Sequence, residues 1–226
     1  MTITFNWFSF LLDSAILMYS VSSFRRHYPE AELKIWEDYT APINDPARDY
    51  CQELGATIAK TNWPRGGNLN GMASMNGVLD CLATATTDYT CKVDSDTLLR
   101  KRGRLEGYFA NDVVFLTWQK RAFGFFYGMR PAVIEKIKAR PWSELMEFSP
   151  RFPEDMMIYR MAKNAGLGVA EVPFESRIWI GWKIGEGFED LADVDIVTVG
   201  QRPANLSRTD ARALAVAAAE QLEPLL

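Results

Sequence analysis

The chain has 226 residues, enough for one α/β domain or two small ones, and 48% of them are hydrophobic. Its 7 tryptophans, 8 tyrosines and 13 phenylalanines can fill a sizeable core, which excludes a disordered protein. A formal charge of −4 excludes a surface that is basic throughout, as in many nucleic-acid-binding domains. With 3 cysteines, no CxxC pair and 1 histidine, a zinc site is excluded and a reducing, cytoplasmic setting is favoured.

The start of the chain is apolar but does not have the features of a targeting segment. Residues 1–24 carry one charge, Asp13, and they lack a basic n-region and a small-residue cleavage site. The charge of Asp13 and the amide of Asn6 also argue against a membrane span. We therefore expect a buried strand and a buried helix here, and any membrane role of the protein would be peripheral.

The first elements alternate between strand and helix. Residues 3–8 are β-branched and aromatic, which predicts a strand, and residues 12–27 predict a helix that ends before Pro29. Residues 32–37 alternate apolar and polar side chains and predict a second strand, with Asp38 at its end. Asp45 and Pro46 have the form of a helix N-cap with proline at the first position. This helix is expected to stop at Gly55, before a third strand at residues 56–59.

A glycine-punctuated loop at residues 63–68 and a helix at residues 70–85 lead to a fourth strand, which ends at Asp94 and Asp96. The alternation predicts an α/β fold with a mostly parallel, doubly wound central sheet flanked by helices. Ligands of such sheets bind outside the carboxyl ends of the strands. Asp38, the glycine loop and the aspartate pair all fall at such ends.

The rest of the chain continues as one domain, residues 1–226. Its expected strands are 112–118, 123–127, 169–173 and 195–200, and its expected helices are 131–138, 153–164 and 209–222. Proline and two acids suit the first turn of the helix that contains Glu154 and Asp155. A basic run at residues 100–104 favours a solvated face over a contact with a phosphate-bearing substrate.

The aspartate pair predicts a metal site. In an extended backbone, residues i and i+2 point to the same side, so Asp94 and Asp96 project their oxygens into one volume. Such close like charges call for a cation, and Mg²⁺ or Mn²⁺ prefers oxygen ligands while keeping positions for substrate phosphates. Asp193 and Asp195 have the same spacing, which is common on acidic surface turns.

The order of these motifs resembles the nucleotide-sugar glycosyltransferases with the GT-A fold, closest to family 2. The resemblance covers about residues 3–175 and is best matched from Gly66 to Asp96, where such enzymes carry a glycine- and asparagine-marked helix before their Asp-X-Asp. It implies a nucleotide-binding half at about residues 1–97 and an acceptor and catalytic half at about residues 98–226. It also implies Mn²⁺ or Mg²⁺ as cofactor.

The resemblance implies roles for residues that meet the donor. Asp38 would contact the nucleobase, although Tyr39 and Thr40 follow it where Gly-Ser is common. Asp94 would face the ribose or the metal, and Asp96 would bind the metal that bridges the diphosphate. Arg65 and Asn68 of the glycine loop are further donor-binding candidates, with a surface cation as the alternative for Arg65. Many relatives supply a late histidine ligand, but the single histidine here, His27, ends the first helix.

The resemblance also implies roles on the acceptor side. Asp155 would be the general base of an inverting transfer, with Glu154 beside it at the acceptor. The alternative for both acids is a stabilising interaction with the helix dipole. Trp179 and Trp182 would form a flap that stacks on a sugar, or else pack in the core.

The leading hypothesis is a metal-dependent glycosyltransferase of the hexosyltransferase type, using a nucleoside-diphosphate sugar and acting with inversion. The acceptor is open between a glycan, a lipid-linked sugar, a protein, a small molecule and a modified nucleobase in nucleic acid. A non-catalytic GT-A-like binding protein is the alternative from another class. A sugar-phosphate nucleotidyltransferase is disfavoured, because residues 9–13 after the first strand are not a glycine-rich loop with a basic residue.

Overall fold

The computed structural model describes residues 1–63, 71–102, 105–118, 121–141, 154–173, 195–199 and 206–225. Its strands are β1 (Ile3–Ser9), β2 (Glu32–Glu37), β3 (Ala56–Lys60), β4 (Tyr89–Val93), β5 (Thr97–Leu99), β6 (Val113–Trp118), β7 (Arg121–Met129), β8 (Val169–Pro173) and β9 (Ile196–Thr198). Its helices are α1 (Ser14–His27), α2 (Asp45–Glu53), α3 (Gly71–Ala83), α4 (Leu105–Tyr108), α5 (Pro131–Lys138), α6 (Glu154–Asn164) and α7 (Arg208–Leu222), with 3-10 turns at Leu11–Asp13 and Glu223–Leu225.

The central element is a seven-stranded sheet with the order β3-β2-β1-β4-β7-β6-β8. The strands β1 to β4 pair in parallel, β7 pairs antiparallel with both β4 and β6, and β8 is parallel to β6. All strands of this sheet except β7 therefore run in one direction. The predicted α/β class, with a mostly parallel sheet in a single domain, is confirmed.

Helices cover both faces of the sheet. On one face α1 packs Leu17, Val21 and Phe24 against the β1 side chains Phe5 and Trp7. On the other face α3, α5 and α6 pack together over a second core cluster, which also receives Phe8 and Trp36 from the sheet. Every residue of β1 is buried, as expected of a strand enclosed on both sides.

The C-terminal helix packs beside the first one. A third cluster joins α7 to α1 and to the small antiparallel sheet β5-β9. Its buried members are Ile16, Leu98, Val197, Val199, Ala215, Ala218, Ala219 and Leu222. The small alanine side chains let α7 lie close to α1, and α7 also contacts the 3-10 turn that follows β1.

The predicted strands and helices are found close to their expected bounds, with three differences. The N-cap of α2 is Asn44, whose side chain accepts from Ala47 N at 3.0 Å, rather than Asp45. Strand β7 is longer than expected, and β5 and α4 were not predicted because each is only 3 or 4 residues long. Gly55 and Gly166 have φ of 79° and 68°, the left-handed conformation that ends a helix.

Two further expectations concern cysteines and membrane spans. Cys51, Cys81 and Cys91 are free and buried, and burial raises the pKa of Cys51 and Cys81 to about 12. They therefore behave as small core residues. Within the described part of the chain, every helix is too short or too polar to cross a bilayer.

Candidate active site

The carboxyl ends of β1, β2 and β4 lie side by side at one edge of the sheet. Strand β1 lies between β2 and β4 in the sheet, so the residues after these strands share one edge. Asp38 N donates to Ser9 O at 2.9 Å, and Ser95 Oγ lies 3.2 Å from Ser9 Oγ. The end of β1 therefore links the Asp38 turn to the Asp-X-Asp motif, as the predicted topology required.

Asp38 forms a tight turn at the end of β2. Its Oδ1 accepts hydrogen bonds from Thr40 N at 2.8 Å and from Thr40 Oγ1 at 2.6 Å. The neighbouring Glu37 is held by an ion pair with Arg48 at 2.6 Å. Asp38 is buried, whereas Tyr39 beside it is 51% exposed. The two acids after β2 thus have different partners, and only Asp38 shapes the turn at the sheet edge.

Lys92 is a buried lysine beneath the Asp-X-Asp motif. Its Nζ lies 2.5 Å from Asp94 Oδ1 and 3.5 Å from Glu154 Oε1, and it donates to the carbonyl oxygen of Gly124. A buried ammonium requires such partners because it has lost its hydration. The side chain is only 2% exposed, so Lys92 organises carboxylates of the protein instead of facing a substrate diphosphate. It joins the motif after β4 to the first turn of α6.

Asp155 lies next to this lysine, packed against β7. A Cβ atom placed on Gly124 would be 3.0 Å from Asp155 Oδ2, a tight contact that would press on the Asp155 carboxyl. Burial, and secondly the charge of Glu154, raise the pKa of Asp155 to about 7. Lys92 and the hydrogen bond from Met156 N at 2.8 Å act in the opposite direction. The carboxyl group can therefore take up or release a proton near neutral pH.

Asp96 is paired with a residue of the C-terminal helix. Arg212 Nη1 lies 2.6 Å from Asp96 Oδ2, and Arg212 Nε lies 2.8 Å from Asp13 Oδ1. Sequence reasoning did not identify Asp13 or Arg212 as site residues. A signal existed for Asp13, since a charge inside an apolar segment requires a partner. The sequence around Arg212 is that of an exposed helix, so it did not indicate that Arg212 has an ion-pair partner in the site.

These side chains form one acidic cluster, with the members Lys92, Arg212, Asp13, Asp94, Asp96, Glu154 and Asp155. The cluster holds five carboxyl groups and only two cationic side chains. An excess of negative charge would repel a diphosphate, and a divalent cation would offset it. The negative charge of the cluster is therefore suited to binding a divalent cation.

The ligand set also fits Mg²⁺ or Mn²⁺, provided that the substrate contributes. Among the described residues, no group of three or more acidic, histidine or cysteine side chains could hold an ion alone. Mg²⁺ is usually held by one or two carboxylates together with water and substrate phosphates. Asp94 and Asp96 lie in the turn between β4 and β5, where Thr97 N donates to Asp94 O at 3.0 Å, and not in extended backbone as predicted. Both are carboxylates at the sheet edge and so match that mode of binding.

Other candidates from the sequence lie outside the described residues. These are Arg65, Asn68, Trp179 and Trp182. The basic run is described in part: Arg102 pairs with Glu30 and with Glu106, and its Nε donates to His27 O at 2.6 Å. Arg102 thus has structural partners on α1 and α4, in agreement with a solvated face of the fold.

No family model and no curated protein matches this sequence. Solved structures do resemble its fold. The mannosyltransferase PcManGT from Pyrobaculum calidifontis, in complex with GDP-Man and Mn²⁺, has a TM-score of 0.53 and 11% identity, covering 76% of this chain and 55% of that one. The structure of S. aureus TarS 1-349 has a TM-score of 0.50 and 13% identity, covering 77% of this chain and 59% of that one. A second structure of S. aureus TarS has a TM-score of 0.51 and 12% identity, covering 77% of this chain and 36% of that one.

This chain thus spans about half the length of PcManGT. The chain, with its mostly parallel seven-stranded sheet and helices on both faces, has a GT-A-like fold similar to that of these solved structures.

Proposed function

We propose that this protein is a metal-dependent glycosyltransferase that uses a nucleoside-diphosphate sugar. The observation that carries the proposal is the bridge formed by Lys92, which brings Asp94 and the Glu154–Asp155 pair together at the end of β4. Motifs far apart in the sequence thereby contribute to one cluster of carboxylates. Transfer of a sugar from a diphosphate calls for such a set, namely acids for a cation and a separate acid for proton transfer.

The donor would bind at the ends of β1, β2 and β4, in the half formed by about residues 1–97. Asp94 and Asp96 would hold Mn²⁺ or Mg²⁺, which as a Lewis acid offsets the negative charge that develops on the departing diphosphate. Asp38, although buried and hydrogen-bonded to Thr40, is proposed to contact the nucleobase once the exposed Tyr39 beside it moves aside. Arg65 and Asn68 are proposed to hold the donor phosphates and sugar.

Asp155 is proposed as the general base. The acceptor hydroxyl oxygen forms a bond to the anomeric carbon, the bond from this carbon to the diphosphate oxygen breaks, and the hydroxyl proton passes to an Asp155 carboxylate oxygen. Attack on the face opposite the diphosphate inverts the anomeric configuration. A pKa of about 7 suits this step, because the carboxylate is available near neutral pH and still basic enough to take the proton.

The acceptor would bind in the half formed by about residues 98–226. Glu154, held by Lys92, lies beside Asp155 and is proposed to orient the acceptor hydroxyl. Trp179 and Trp182 are proposed to stack on the acceptor sugar. We also propose a cytoplasmic location, because the buried cysteine thiols suit a reducing compartment.

A binding screen followed by a turnover assay tests this function. Thermal shift with UDP, GDP, TDP and CMP sugars and Mn²⁺ should single out one nucleotide, since a ligand of the folded state stabilises by RT ln(1 + [L]/Kd). Slow hydrolysis of that sugar should require Mn²⁺ and be lost in Asp96→Ala and in Asp155→Asn. Asp45→Asn is the matched control, because its side chain is 94% exposed on α2.

The same assay separates the alternatives. Binding of a nucleotide sugar without hydrolysis or transfer by the wild type would identify a non-catalytic binding protein. Release of pyrophosphate from a nucleoside triphosphate and a sugar phosphate would identify a nucleotidyltransferase. Stabilisation by none of the nucleotides, with or without Mn²⁺, would contradict the proposal.

A further inference from the structure

Arg212 connects the C-terminal helix to the second aspartate of the Asp-X-Asp motif. Its Nη1 lies 2.6 Å from Asp96 Oδ2, while its Nε lies 2.8 Å from Asp13 Oδ1. The side-chain exposures are 26% for Arg212, 12% for Asp96 and 1% for Asp13. Arg212 is therefore the member of this triad that a ligand arriving from solvent meets first.

The backbone around Arg212 is fixed by packing. Helix α7 begins with Ser207 as its N-cap, whose Oγ accepts from Asp210 N at 3.1 Å. One turn after Arg212 the helix becomes buried against α1, at Ala215, Ala218 and Ala219. Because α7 is packed against α1, rotation of the Arg212 side chain is the simplest way for its guanidinium group to change partners.

The two acids that hold Arg212 differ in what else they can bind. Asp96 lies in the Asp-X-Asp motif, where a divalent ion would compete with the guanidinium for the same carboxylate. A divalent ion and a guanidinium also repel each other at short range. Asp13 is covered, so it can keep its ion pair with Arg212 Nε while the ion occupies Asp96. The Nη1 donor would then be released next to the ion, where a diphosphate has to lie.

We propose that Arg212 is a donor-binding residue that exchanges partners: anchored by Asp13, it neutralises Asp96 in the free protein and turns to the diphosphate when a divalent ion occupies Asp96. The planar guanidinium fork suits phosphate oxygens in this second role. The inference rests on the proposed function, since it takes a nucleoside-diphosphate sugar as the ligand. It adds α7 to the donor site.

The exchange has opposite consequences for two ligands. In the free protein Arg212 competes with the cation, so Arg212→Met should bind Mn²⁺ about tenfold more tightly than the wild type. At saturating Mg²⁺ Arg212 contacts the diphosphate, so the same variant should bind inorganic pyrophosphate about tenfold more weakly. A purely structural role of Arg212 would weaken both ligands together. Mn²⁺ binding is measured by electron paramagnetic resonance and pyrophosphate binding by titration calorimetry.

Two more variants complete the experiment. Arg208→Met removes the same charge one turn earlier on α7, from an exposed position, and should change neither affinity. The pair Asp13→Asn with Arg212→Met avoids leaving a buried carboxylate without its cation and keeps the net charge of the acidic cluster. This pair should still bind Mn²⁺ more tightly than the wild type, because Asp96 is no longer held by a guanidinium.

The outcomes separate this inference from the proposed function. Weaker binding of both ligands, or no change in either, would overturn the role of Arg212 even if the wild type hydrolyses a nucleotide sugar. Opposite shifts in a protein that hydrolyses none would support Arg212 and contradict the transferase. Failure of the wild type and of both Arg212 variants to bind Mn²⁺ would overturn both.

Discussion

Replacement of Asp155 by asparagine should stabilise the fold at neutral pH while it removes activity. Burial first, and then Glu154, raise the pKa of this carboxyl to about 7 in the folded protein, whereas an unfolded aspartate has a pKa of about 3.9. Below about pH 3.9 the group is protonated in both states, and its favourable contribution is complete. As the pH rises towards 7, the unfolded chain releases the proton first, and this contribution is lost.

The size of the effect follows from that difference. With about 1.4 kcal/mol for each pKa unit, a buried Asp155 destabilises the fold above pH 7 by a few kcal/mol, with about 4 kcal/mol as the upper bound. Asparagine does not ionise, and its Oδ1 can keep the hydrogen bond from Met156 N, which is 2.8 Å long in the wild type. The variant should therefore recover most of this free energy at high pH and little of it near pH 4.

Urea unfolding in the presence of EDTA measures the free energy of unfolding at about pH 8 and about pH 4.5. We expect a gain of about 2–4 kcal/mol for Asp155→Asn at the higher pH and clearly less at the lower. The exposed control Asp45→Asn should show no such pH dependence. An equal gain at both pH values, or a loss of stability at the higher pH, would show that Asp155 is not a buried carboxyl with a pKa of about 7.

Three further changes probe the same cluster. Lys92→Met should lower the free energy of unfolding by about 1–3 kcal/mol in urea titrations, because it removes the buried ammonium that pairs with the partly exposed Asp94 and Glu154. Lys101→Met, whose side chain is 41% exposed and lies 4.0 Å from Asp195, should cost less than about 1 kcal/mol. Lys92→Met should also raise the pKa of Asp155 and shift the acid limb of the kcat profile to higher pH. In Gly124→Ala the new methyl group crowds Asp155, so kcat should fall with little change in the donor's thermal shift, whereas Gly107→Ala meets no atom within 4 Å and should be neutral. Removal of Mn²⁺ by EDTA should abolish the thermal shift with the nucleotide sugar, and added Mn²⁺ should restore it.

Much of the fold could be predicted because its signals are local. The alternation in residues 32–37 predicted β2 with both ends correct, and Pro131 marked the start of α5. Short elements gave weaker signals, since β5 is stabilised by its pairing with β9, which comes from a distant part of the chain. The N-cap of α2 was placed one residue late, because Asn44 and Asp45 are both good N-caps and only the structure shows which side chain accepts from Ala47 N.

In the site, as in the fold, local signals could be predicted from the sequence and contacts between distant segments could not. The strand-end positions of Asp38, Asp94 and Asp96 followed from the alternation of strands and helices, because parallel strands end at one edge. The role of Lys92 did not follow, since the sequence shows a lysine in a strand but not that Glu154 reaches it from α6. The pairing of Arg212 with Asp96 is a contact between distant segments, and no spacing rule relates such positions.

Crystals grown with Mn²⁺ and the nucleoside diphosphate selected by thermal shift would show where the metal and the donor bind. Anomalous diffraction at the manganese edge locates the ion independently of its ligands. We expect one manganese peak bound by Asp94 or Asp96, with the diphosphate on the same ion at the ends of β1 and β4. A nucleotide bound elsewhere, or a manganese ion that contacts neither aspartate, would contradict this expectation.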